Sequence, residues 1–159
     1  MAHPMRRKDR EMTDHAEMDE VLDKALVGHL GLCDEGVPYV LPMNFALLNG
    51  ALYLHCAQEG RKLDVIGKNS RACFSTETDM ELVTSPRACG WGMTYRSVLL
   101  FGTISVVESE KEKGESMMAL MKKCAGPDFS HVFTPPELAS VTVLRLDWDE
   151  RTGKARYPA

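Results

Sequence analysis

The chain lacks the segments and motifs that would place it in a membrane, on a metal or in a hydrolase. No apolar run approaches the ~20 residues needed to span a bilayer, and the polar N-terminus has no apolar stretch of the kind that marks a secretory leader. These absences predict a cytoplasmic protein. The five cysteines, Cys33, Cys56, Cys73, Cys89 and Cys124, are odd in number, scattered, and form no Cys-x-x-Cys pair. That spacing argues against a disulfide framework and a zinc site, leaving them as small core or strand residues. Neither a Gly-x-Ser-x-Gly elbow nor a His-Glu-x-x-His motif occurs. Net charge is -4, with basic residues dispersed apart from Arg6-Arg7-Lys8, so there is no electrostatic footprint for nucleic acid. Repeats and low-complexity segments are absent as well.

What is present reads as one domain. The 159 residues, 44% hydrophobic and 26% charged, are enough for a single well-buried core. Residues 1–12 are polar and predicted to form an extended arm, with the domain occupying 13–159. Asp14 and Glu17 make a capping-box-like start to a helix whose apolar face is Met18, Val21, Leu22, Ala25 and Leu26. Val27 to Cys33 alternates as a strand, Asp34-Glu35-Gly36 turns, and Val37 to Phe45 follows, its Pro42 marking an edge or bulge. Asn49-Gly50 is a strong hairpin signal. The next strand, Ala51 to Cys56, puts Leu52, Leu54 and Cys56 on one face and Tyr53 and His55 on the other.

A short helix over Arg61 to Lys68 leads to a strand at Ala72 to Thr76, and Met80 to Trp91 shows no dependable period. Arg96 to Val107 is the longest β-like run, apolar on both faces as a central strand requires. Gly102 within it permits a bend or a close backbone approach. Ser109 and Glu112 start another amphipathic helix, carrying Met117, Met118, Leu120, Met121 and Cys124 and broken by Pro127, Pro135 and Pro136. Val141 to Trp148 is the last strand. The lack of βαβ alternation argues against a Rossmann sheet; about six strands, mostly paired as hairpins, with three helices predict a mainly β, antiparallel barrel with flanking helices.

The feature with most chemical content is the junction from His55 to Asp64. A strand ends in a loop, a glycine follows, and two cations, Arg61 and Lys62, open the next helix. Free backbone N–H groups, the positive helix end and two mobile charges together make a phosphate seat.

Three groups of residues extend that reading: Tyr39-Val40-Leu41-Pro42-Met43-Asn44-Phe45, the stretch Leu54 to Ile66, and Tyr95-Arg96-Ser97-Val98 with Phe101-Gly102. In this order and spacing, and with Arg6-Arg7-Lys8-Asp9-Arg10 and Thr13-Asp14 ahead of them, they resemble the pyridoxamine 5′-phosphate oxidase-like, FMN-binding split-barrel superfamily. Within it the resemblance is to the Nim-type nitroimidazole-resistance branch. It runs from about residue 6 to 107 and is general thereafter. It implies a split β-barrel homodimer with FMN at the subunit interface. Arg61 and Lys62 would hold the FMN phosphate, Gly60 would let the backbone approach it, and His55, Cys56 and Ala57 would lie along the flavin. Met43 and Asn44 would contact the ring, partly through main-chain atoms. Arg96 and Ser97 would complete the phosphate or ribityl site of the partner subunit.

The implied activity is an FMN-dependent oxidoreductase passing electrons from NAD(P)H to a small planar acceptor such as a nitroimidazole or another nitroaromatic. His55 would be its proton donor, histidine being the residue type that titrates nearest neutral pH. A flavin does the redox chemistry itself, so the missing nucleophile and triad are compatible with this. The alternative is a non-catalytic flavin- or haem-binding protein that senses redox state or stores cofactor. A scaffold with a vacant site is a third possibility. Vitamin B6 oxidation is disfavoured because Lys154-Ala155-Arg156-Tyr157-Pro158-Ala159 offers no convincing counterpart to the substrate-gripping tryptophan and arginine of true pyridoxamine phosphate oxidases. The bland readings are that Arg61 and Lys62 are solvated helix-start residues, His55 a surface or interface histidine, and Arg96 a structural ion-pair partner.

Overall fold

A computed structural model describes residues 4–158. The elements, in chain order, are β1 (Glu11–Met12), α1 (His15–Lys24), β2 (Val27–Asp34), β3 (Val37–Asn44), β4 (Ala46–Leu48), β5 (Ala51–Cys56), α2 (Arg61–Lys68), β6 (Arg71–Val83), β7 (Gly92–Val106), α3 (Glu110–Ala125), α4 (Pro135–Ala139) and β8 (Thr142–Arg156). All strand pairs are antiparallel, in the order β3-β2-β6-β7-β8-β5-β4, with β1 against β8. The sheet curls into a half-barrel with the helices on its flanks, as the sequence predicts.

Local chemistry sets most boundaries. Asp14 caps α1 by accepting from the Ala16 amide at 2.9 Å, and Met18, Val21 and Leu22 are its buried face. Leu26, predicted on that face, is 54% exposed because the helix has already ended at Lys24. Asn49 and Gly50 both take positive φ (51° and 76°), as the tight β4–β5 hairpin requires. Gly102 sits at a register shift between β7 and β8; a Cβ there would lie 2.1 Å from the Asp147 carbonyl oxygen, so only glycine lets the strands approach so closely.

Four expectations are amended. The N-terminal arm is not simply extended: Lys8–Arg10 forms a 3-10 turn, and β1 pairs Met12, 4% exposed, with Gly153. The stretch over 80–91 contains the end of β6, at Val83, and a 3-10 turn over Ala88–Gly90; Met80, Leu82 and Trp91 stand in solvent, so no buried apolar face imposes a period. The last strand runs on to Arg156; its polar middle, Asp147 to Arg151, hid the continuation. Finally, α3 stops at Ala125 before Gly126 (φ 108°) and Pro127, whereas Pro135 and Pro136 begin α4 inside a Thr134–Glu137 capping box, the first-turn position proline tolerates.

The larger core fills the concave side with residues such as Leu30, Phe45, Leu52, Leu54, Phe74, Leu100, Ile104 and Leu144. Val65 and Ile66 anchor α2 in it. A smaller cluster of Ala51, Tyr53, Val107 and Val143 lies on the opposite face with Met117 of α3 packed against it. Thus β5 is buried on both faces until it reaches His55, and there the chain emerges at the predicted junction.

Candidate functional site

At the β5–α2 junction Gly60 is the residue before the helix, with φ 128° and ψ 163°, a conformation that L side chains rarely adopt. Its carbonyl accepts from the Leu63 amide at 2.9 Å and the Asp64 amide at 3.4 Å. No side chain caps this helix end, so the first-turn amides of Arg61 and Lys62 remain available to an anion. The junction forms one wall of a cavity of about 230 Å³; Tyr39 and Leu41 of β3 form the other, with Cys56, Ala57, Glu59 and Leu63 completing the lining.

Among the described residues, none accepts a hydrogen bond from the Arg61 guanidinium. Its guanidinium carbon lies 4.5 Å from the centre of the Tyr39 ring. Its nearest carboxylate, Asp34, is 3.6 Å away, an ion-pair distance too long for a proper hydrogen bond. Asp34 Oδ1 is itself buried without a hydrogen-bond partner among the described residues, although Lys68 Nζ stands 3.7 Å away. Leaving such an atom unsatisfied costs about 1–3 kcal/mol. Five planar N–H donors, a neighbouring lysine and free helix amides fit a phosphate dianion well; Glu59 is the one opposing charge in the cavity lining.

Arg96 is the contrasting case. It donates from Nε to Asp79 at 2.6 Å and from Nη1 to Glu20 at 3.0 Å, with Glu17 at 3.8 Å. Hydrogen bonds from Lys24 and Arg96 hold the Asp79 carboxyl down at about 2, and those of Asp79 and Glu20 raise the Arg96 guanidinium. Arg96 lines a separate cavity of about 350 Å³ with Thr94, Tyr95, Arg156 and Tyr157. Ser97 Oγ donates to the Lys154 carbonyl at 3.2 Å. Within one chain, therefore, neither Arg96 nor Ser97 belongs to the Arg61 cavity.

The remaining expected residues divide along strand faces. Cys56 lines the cavity, while His55 is exposed on the opposite face of β5, opposite Val143 of β8. Met43 shares a face of β3 with Tyr39 and Leu41, all three packed against the main core. Asn44 donates its side-chain amide to the Leu26 carbonyl at 2.9 Å, which leaves its main chain and Oδ1 for any further contact. Tyr39 and Asp34 carry no functional signal in the sequence. Tyr39 lies inside the β3 motif and Asp34 at the end of β2, where the sequence signals only a turn; neither position signals contact with Arg61. A larger cavity of about 750 Å³ lies elsewhere, lined by Asp19, Asp23, Asp149 and Glu150, and its carboxylates disfavour a phosphate.

An antiparallel half-barrel with a cationic notch at a strand-to-helix junction defines the class: a split β-barrel. The chain belongs to the pyridoxamine 5′-phosphate oxidase family, whose profile matches residues 14–155. Among solved structures it is similar to a candidate 5-nitroimidazole antibiotic resistance protein from Bacteroides thetaiotaomicron, at 27% identity over 91% of this chain and 86% of that one, with a TM-score of 0.81. It shares its fold with a flavocytochrome from Azotobacter vinelandii (23% identity, 98% and 73% covered, TM-score 0.83). The same holds for a FAD- and haem-binding protein from Mycobacterium smegmatis (22% identity, 94% and 74% covered, TM-score 0.84). No curated protein matches the chain. Among the described residues no group of His, Cys, Asp or Glu could hold a metal ion, and no helix is long and apolar enough to cross a membrane.

Proposed function

We propose that the protein is an FMN-dependent oxidoreductase, active as a homodimer, that reduces a small planar acceptor such as a nitroaromatic with electrons from NAD(P)H. The observation that carries this reading is the Arg61 cavity, with free helix amides, two cations and a guanidinium whose donors are unused. Likeness to the Bacteroides protein supports the acceptor class, and the names of the two more distant structures support a flavin as the cofactor family.

The cavity's 230 Å³ is below the roughly 300–1,000 Å³ of pockets that enclose a small molecule. One chain thus offers a seat for the phosphate end and leaves the rest of the ligand to be covered by another surface. That supports a dimeric site to which Arg96 and Ser97 of the second subunit contribute. Arg61, Lys62 and the α2 amides bind the phosphate, Gly60 gives it room, and Cys56 and Ala57 line the approach. Met43 and Asn44 continue the β3 wall towards the ring. When bound, FMN supplies the hydride and electron transfer. His55, outside the cavity wall of its own chain, is assigned to deliver a proton to the reduced acceptor.

The visible spectrum of protein purified without added cofactor tests the reading first. A flavin spectrum with phosphate-dependent retention is expected; a Soret band would replace FMN by haem. Steady NAD(P)H oxidation with a nitroimidazole then distinguishes an enzyme from a binder, and its absence in flavin-loaded protein would overturn the catalytic assignment.

A further inference from the structure

Resting on the phosphate seat just described, we infer that Tyr39 is a positioning residue for that seat, and that it makes the site selective for phosphorylated flavins by holding Arg61 through its face. A guanidinium can be fixed through its edge, by hydrogen bonds to carboxylates, or through its plane, by an aromatic ring. Arg96 is fixed through its edge, with Asp79 and Glu20 as acceptors, so two of its five N–H donors are already committed within its own chain. Arg61 is instead held over a ring face: the Tyr39 ring centre is 4.5 Å from the guanidinium carbon, and a cation–π contact of this kind needs no N–H acceptor, so it leaves the donors for a ligand. Asp34, at 3.6 Å, adds attraction without a short hydrogen bond, and a phosphate can displace it. Tyr39 is half-buried in β3, packed against the main core and part of the same cavity wall. Its ring therefore orders a long, exposed side chain before ligand arrives, which lowers the entropy cost of binding.

The experiment is a titration of FMN and riboflavin, followed by flavin fluorescence, into the full-length wild type and the Tyr39→Leu, Tyr39→Phe and Arg61→Ala variants, riboflavin being read by competition where it is too weak to titrate directly. Wild type should bind FMN more tightly than riboflavin. Tyr39→Leu should weaken FMN about five- to ten-fold and leave riboflavin unchanged, which also reports an intact fold. Tyr39→Phe, which keeps the ring face, should restore the preference to within about two-fold. In an Arg61→Ala background Tyr39→Leu should have no further effect. The inference is overturned if Tyr39→Leu weakens both ligands equally, if it leaves the preference intact, or if its effect persists without Arg61. A wild type with no preference for FMN would remove the phosphate seat itself, and Tyr39's role with it.

Discussion

Lys123 shows how one residue couples charge to packing. Its ammonium donates to the Leu22 carbonyl at the end of α1 at 2.6 Å and stands 3.6 Å from the centre of the Phe45 ring. Burial pushes it from 10.5 to about 8. Between those values the unfolded chain holds a proton that the folded chain has released, so folding stability rises with pH across that window. Urea unfolding should therefore show the wild type gaining on Lys123→Met between pH 8 and 10; an unchanged difference would mean that the amine is not desolvated. His55 belongs to the same scale. Replacing it with Ala should lower turnover by about 10²-fold, the low end for a lost acid–base group, while FMN remains bound. Unchanged turnover, measured by NAD(P)H oxidation, would leave it a surface histidine.

Among the elements, β7 makes the sharpest demand. Gly102→Ala would drive a methyl group to 2.1 Å from the Asp147 carbonyl oxygen, and backbone cannot yield as a flexible side chain can. A loss of about 2–3 kcal/mol in denaturant unfolding is expected. Elements whose residues face a core were legible from sequence: β2, β5, the buried part of β7 and α1 all follow their period. The helix over about Arg61 to Lys68 is legible because Gly60 and Asn69 bracket it. Illegible parts were those whose structure depends on distant partners. β1 exists only because β8 lies beside it, and the outer ends of β6 and β7 pair with each other where no apolar face is buried. The candidate site divides in the same way. Gly60, Arg61 and Lys62 are contiguous and could be seen as a unit. Tyr39 and Asp34 reach Arg61 only through the curl of the sheet, and no local pattern reports that contact.

Scaled to the whole molecule, the proposed dimeric site would couple ligand binding, folding and association in a single equilibrium. FMN at about 100 times its Kd should stabilise the protein by ~2.7 kcal/mol, raising Tm by about 5–10 °C for a chain of this size. Scanning calorimetry with and without FMN checks this, and a solution mass of 17.7 kDa rather than twice that value would remove the partner roles of Arg96 and Ser97.

The way two copies can meet is further limited by β3, one end of the strand order. Pro38 pairs with Cys33 and Pro42 with His29, and an imide nitrogen cannot donate to β2. These same-parity positions therefore direct their nitrogens outward, where two amide donors are missing from the free edge. At the other end β4 has three residues, too few to template a strand. With both margins blunted, the half-barrel resists runaway strand-by-strand stacking into fibres. In the proposed dimer, side chains rather than strand pairing would then carry the contact, and point substitution could change its stoichiometry without any change of backbone.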